Sequence, residues 1–177
     1  PQLLQRLVRR QAIEHVCRLD TPDPAAAWRE RGAQLERAAA RLSKLRLDRL
    51  RFQGPGTDLT IGLLPTSRWL AAGANTVTGI HHMANLPTEE VFCTPDPLRA
   101  DGVVRSTKPL VNSGQVIRDL VVKFEGGRAV QVDASSGAGV LRGRTALDEG
   151  AARLGEVALV DKESRIGQLD TVFYETL

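Results

Sequence analysis

The feature that most constrains the fold is a change of texture at Arg51. Before it, two one-sided helical stretches are rich in arginine; after it, short apolar runs alternate with glycine and proline turns. In the first stretch, residues 3–19, Leu3, Leu7, His15 and Leu19 fall near helical spacing, with Arg6, Arg9, Arg10 and Arg18 between them. Asp20-Thr21-Pro22-Asp23-Pro24 breaks it. Asp23 is placed to accept hydrogen bonds from the first free amides of a second helix, and Pro24 suits that helix's first position. The second helix is predicted from Ala25 to about Leu47, with Trp28, Leu35, Leu42, Leu45 and Ala38 or Ala39 as its apolar stripe and Gly32 as a local weakness. Two such helices need another layer to pack on.

Beyond Arg51, Gln53-Gly54-Pro55-Gly56-Thr57-Asp58 is turn chemistry. Strands are predicted at Leu59–Leu64, Arg68–Ala72, Val91–Thr94, Val103–Thr107, Val157–Val160 and Thr171–Tyr174. A hairpin is expected with arms Val116–Phe124 and Ala129–Ala134 around Glu125-Gly126-Gly127, and a further helix from about Gly139 to Leu154. The fold class is α+β: two N-terminal helices, then a mainly antiparallel sheet with one or two packed helices. The expected boundary separates residues 1–49 from 50–177.

Composition narrows the function classes. With 177 residues, 42% hydrophobic and 25% charged, the chain has the make-up of a globular protein of one ordinary domain. Aromatic content of 4% leaves the core to Leu, Val and Ala. No apolar run approaches the roughly 20 residues needed to span a bilayer, so no membrane partner is expected. The opening residues show no signal-peptide pattern, and Cys17 and Cys93 form no disulfide framework; both fit a cytoplasmic location. A first residue other than Met suggests a processed or excised piece. Half of the 24 Lys and Arg lie in the first 51 residues, with far fewer than half of the 21 acids. That is either a nucleic-acid footprint or a solvated helix face. The second is favoured, because no aromatic residues interleave for base stacking, and no nucleic-acid partner is expected.

Conventional sites are sparse. His81 and His82 are adjacent, point to opposite faces if extended, and read as polar residues near a sheet edge. There is no Cys-x-x-Cys or His-x-x-x-His pair for zinc. Cys93 reads as a buried thiol, and Gly54-Pro55-Gly56 as a tight turn lacking the ending of a phosphate loop. The acids are more informative. Pro87-Thr88-Glu89-Glu90 sets two carboxylates at the opening of an apolar strand, and Gly155-Glu156 sets another before Val157–Val160. A charge beside buried apolar groups is paired, hydrogen-bonded or metal-bound. Residues alone favour a salt bridge to an arginine or a capping contact; if a divalent metal is held, Glu90 and Glu156 are its natural anchors.

Five blocks in order resemble the thermophilic-type metallo-aminopeptidases, the family of aminopeptidases T and S. They are Phe52–Leu63 (Phe-Gln-Gly-Pro-Gly-Thr-Asp-Leu-Thr-Ile-Gly-Leu), Asn85–Phe92, Asp101–Leu110, Phe124–Arg128 and Arg153–Val160. The resemblance extends over essentially the whole chain. It implies a cytoplasmic, commonly dimeric exopeptidase that removes N-terminal residues from peptides using two divalent ions, zinc or cobalt. Glu90 and Glu156 fall on family metal ligands, with Thr88 and Glu89 orienting the ligand carboxylate. Such a pair of ions polarises the scissile carbonyl and activates water.

By the same resemblance the family's other ligands, histidines and an aspartate, and a nearby tyrosine come after Leu177. Residues 1–49 match a helical connector from the N-terminal domain, and residues 50–177 the first half of the catalytic domain. The chain is therefore expected to be a middle piece of a larger peptidase, inactive alone. The alternative is a non-catalytic scaffold or interaction domain with the same half-fold.

Overall fold

The computed structural model describes residues 10–169. A leading helical segment covers residues 10–16. There follow α1 (Pro24–Leu45), β1 (Arg49–Gly54), β2 (Thr57–Leu63), β3 (Gly73–Asn75), β4 (His81–Met83), β5 (Glu90–Cys93) and β6 (Pro95–Arg105). Then come β7 (Leu110–Asn112), β8 (Gln115–Ile117), β9 (Val121–Glu125), β10 (Arg128–Asp133), α2 (Ala138–Thr145) and β11 (Val157–Val160). The α+β class read from the sequence holds, with three helices and mainly antiparallel strands among the described residues. The elements gather into two compact units whose segments interleave along the chain.

The described part of the first unit comprises residues 10–45, 68–93 and 158–169. Asp23 caps α1 as expected: its Oδ1 accepts from the Ala26 amide at 2.9 Å, and Pro24 is the first helical residue. One face of α1 is buried through Trp28, Gly32, Leu35 and Ala39, a spacing of four, three and four residues that keeps the stripe on one side. Leu45 is exposed rather than part of that stripe. Gly32 is a close approach more than a weakness, because a Cβ there would lie 2.3 Å from the Met83 methyl. The helix packs on β5, and the core of this unit includes Val16, Trp28, Leu35, Trp69, Val91 and Cys93. β11 pairs with β5. The expected strand Arg68–Ala72 reduces to one bridge, in which Leu70 exchanges backbone hydrogen bonds with Phe92. The Trp69 amide donates to Ser43 Oγ at 3.0 Å, a side-chain partner in place of a second strand bond.

The second unit, residues 46–67 and 94–157 of the described chain, is built on a five-stranded sheet in the order β1-β2-β6-β9-β10, antiparallel throughout. The expected turn Pro55-Gly56 closes the β1–β2 hairpin, with Gly56 in the left-handed region at φ 75°. Leu59, Ile61, Leu63, Ala100, Phe124 and Val132 fill the core. At Gly102 (φ 121°) a Cβ would meet the Asp58 carbonyl oxygen at 2.1 Å, so β2 and β6 close only over a bare backbone.

Two expectations for this unit change. The run 116–124 is not one strand: Asp119 at φ 51° breaks it, leaving β8 to pair with β7 and β9 to join the sheet. The helix placed at Gly139–Leu154 ends at Thr145. Beyond it Asp148 Oδ1 accepts from the Gly150 and Ala151 amides, both at 2.8 Å, and this local turn displaces the helical ladder. The expected strand Thr171–Tyr174 and the opening turns of the first helix, residues 3–9, lie outside the described residues.

Candidate functional site

The Thr88-Glu89-Glu90 segment leads into β5, and burial alternates from there. Glu89, Val91 and Cys93 are buried; Glu90 and Phe92, on the opposite face, are half-buried. Glu89 is a carboxylate in a core position, with 1% of its side chain exposed. Two arginines meet it, Arg18 from the turn that closes the leading helix and Arg31 from α1. Arg18 Nη2 donates to Oε1 at 2.7 Å, and Arg31 Nε donates to Oε2 at 2.5 Å. Arg18 also stacks over the Trp28 ring, 4.9 Å from its centroid, while the Trp28 indole donates to the Cys17 carbonyl at 2.9 Å.

Local sequence explains where these arginines stand. The leading helix ends in a two-bond wrap: Leu19 N–H to Glu14 O at 2.8 Å and Arg18 N–H to His15 O at 3.1 Å. Arg18 therefore occupies the left-handed position (φ 61°) that helix ends usually give to glycine. An L-residue there costs about 1 kcal/mol in backbone strain. Arg31 follows Trp28 by three residues and precedes Leu35 by four, so it shares the buried face of α1. A cation on an apolar helix face was the signal in the sequence for a buried anion. The partner itself, 58 residues away for Arg31 and 71 for Arg18, had no signal. The salt-bridge reading of the acids is thus realised at Glu89.

The two acids proposed as metal anchors are Glu90 and Glu156. Glu90 opens β5, and Glu156, exposed, directly precedes β11, the strand that pairs with β5. Carboxylate oxygens are donors suited to divalent ions. Their number is short of a complete centre: among the described residues no group of three or more His, Cys, Asp or Glu is placed to hold a metal. The histidines behave as polar residues of a sheet edge. His81 and His82 are exposed on β4, and His81 Nδ1 pairs with Asn75 Oδ1 at 3.0 Å. His15 Nδ1 pairs with Asp20 Oδ2 at 3.0 Å. Arg165 also donates to Asp20; that hydrogen bond first, and the one with His15 second, hold the Asp20 carboxyl below its ordinary value. Cys93 is 2% exposed, the buried thiol expected. In the second unit a cavity of about 280 Å³ beside β10 and α2 contains Asp133 and Arg142, which are already paired with each other at 2.7 Å.

The family model described as thermophilic metalloprotease (M29) matches residues 5–177. The chain belongs to the M29 family. Among M29 relatives, aminopeptidase T of Thermus aquaticus is 46% identical over 167 residues, which is 94% of this chain and 41% of that protein. Aminopeptidase PepS of Streptococcus thermophilus is 40% identical over 165 residues, 93% of this chain and 40% of that protein. The solved structure of wild-type AmpT from Thermus thermophilus superposes with a TM-score of 0.87 at 41% identity, covering 97% of this chain and 42% of that one. The chain thus spans about two fifths of the length of the curated M29 relatives it matches.

Proposed function

We propose that this chain is part of a metal-dependent aminopeptidase that releases N-terminal residues from peptides. The observation that carries the reading is 46% identity to an aminopeptidase along 94% of the chain. In this reading residues 1–49 are a helical connector and residues 50–177 the first half of the catalytic domain. Glu90 and Glu156 contribute carboxylate oxygens to two divalent ions, zinc or cobalt, and donors outside the described residues complete the set. When bound, such ions polarise a scissile carbonyl and activate water. What supports this share is that Glu90 opens β5 on its half-buried face and that Glu156 directly precedes β11, the strand paired with β5. The enzyme is read as a cytoplasmic homodimer acting on peptides, and the 177 residues alone as inactive.

The test uses the enzyme at its relatives' full length. Glu90→Gln and Glu156→Gln should each lower zinc affinity and leucine-anilide hydrolysis together. Unchanged zinc affinity in both variants would remove the ligand assignment and leave the scaffold reading. Chelator-sensitive hydrolysis by the purified 177-residue chain would overturn its inactivity alone.

A further inference from the structure

We propose that Arg18, from the turn closing the leading helix, and Arg31, from α1, are positioning residues for the metal site, acting through Glu89 on the neighbouring Glu90. The inference rests on the reading of Glu90 as a metal ligand.

The clamp is an unfavourable way to fill a core position. An apolar side chain at residue 89 would continue the buried face of Val91 and Cys93. Instead a buried carboxylate is held by two guanidinium groups, and Arg18 Nε and Arg31 Nη2 are themselves buried without hydrogen-bond partners. Arg18 carries the backbone strain of a left-handed conformation as well. Buried ion clusters are frequently replaceable by apolar groups without loss of stability, so stability is a weak reason for this one.

What the clamp supplies is direction. Two charge-assisted hydrogen bonds, one to each oxygen, fix the rotation of the Glu89 carboxylate as a single apolar contact does not. The peptide joining residues 89 and 90 is then fixed at the strand opening, and alternation sends the Glu90 side chain to the other face. Glu89 itself has no open side toward a substrate: both oxygens are taken and 1% of the side chain is exposed. Groups that orient a metal-binding carboxylate commonly change metal affinity 10–100-fold when removed.

The experiment takes the full-length enzyme stripped of metal and titrates it with zinc alone by calorimetry, following the thermal midpoint of the metal-free protein in parallel. Glu89→Gln and Arg31→Gln should weaken zinc binding by roughly 10–100-fold, with hydrolysis restored toward wild type at saturating zinc and KM little changed. Arg18→Lys and Arg31→Lys, which keep the charge but lose the guanidinium geometry, give the same sign at smaller size and serve if the first pair folds poorly. Wild-type zinc affinity with only a lowered midpoint would overturn the proposal, leaving the clamp a tie between helices. Hydrolysis lost at saturating zinc with unchanged affinity would also overturn it, by placing Glu89 on the substrate. If Glu90→Gln keeps wild-type affinity, the Glu90 assignment and the clamp proposal fall together; if only the clamp variants keep it, the clamp alone falls.

Discussion

Arg18 reaches across 71 residues of sequence to place Nη2 2.7 Å from Oε1 of Glu89, and does so from a backbone conformation that favours glycine. The position therefore makes opposing demands on backbone and side chain, and substitution separates them. Arg18→Ala loses the ion pair and keeps the strain; Arg18→Gly loses the ion pair and relieves it. Both should be less stable than wild type in urea unfolding, with Gly the better of the two by about 1 kcal/mol. A Gly variant no more stable than Ala would count against the strain.

Gly102 offers a harder constraint. Its φ of 121° and the 2.1 Å approach of the Asp58 carbonyl to a built Cβ leave no room for any side chain, and the obstacle is backbone rather than a movable terminus. Gly102→Ala should cost about 3 kcal/mol, read as a lower denaturant midpoint and loss of amide protection along β2 and β6.

At Gly32 the balance differs. The obstructing atom is the Met83 methyl, the far end of a flexible side chain, and alanine is the better helix former by about 1 kcal/mol. Gly32→Ala should therefore fall within about 1 kcal/mol of wild type, whereas Gly32→Leu should destabilise clearly because Met83 has too little room to withdraw. Equal midpoints for the two variants would show the approach to be loose.

Acid should weaken the fold through exposed ion pairs. Asp20 is held below the ordinary 3.8 by Arg165 and then His15, Asp48 by Arg99, Asp58 by Arg51, and Asp133 by Gln131 and then Arg142. A lowered carboxyl stabilises the folded state fully above 3.8 and loses that contribution as pH falls through its folded value. Thermal midpoints should fall on acidification below about pH 4, less steeply in Asp48→Asn, and high salt should shrink the difference because these pairs face water. A midpoint independent of pH in that range would contradict the assignment.

How much of this was legible depends on how local the cause is. The cap at Asp23, the start at Pro24 and the turn at Pro55-Gly56 are decided within four residues, and the sequence shows them. The split of 116–124 turns on the left-handed backbone of Asp119, and the end of α2 on the Asp148 side chain competing for backbone amides, neither of which apolar periodicity registers. The partners of Glu89 depend on tertiary approach over 58 and 71 residues. Only the unusual charge on the buried face of α1 hinted at them. The pairing of β11 with β5 had no signal in the sequence, since no spacing rule joins two strands so distant along the chain.

The Arg165–Asp20 pair spans 145 residues, so the first unit joins its helices to a segment made much later in synthesis. On a ribosome, those helices emerge long before Arg165 does. The nascent chain likewise carries the buried stripe of Trp28, Leu35 and Ala39 uncovered until β5, on which α1 packs, has been made, a window in which chaperone capture competes with folding.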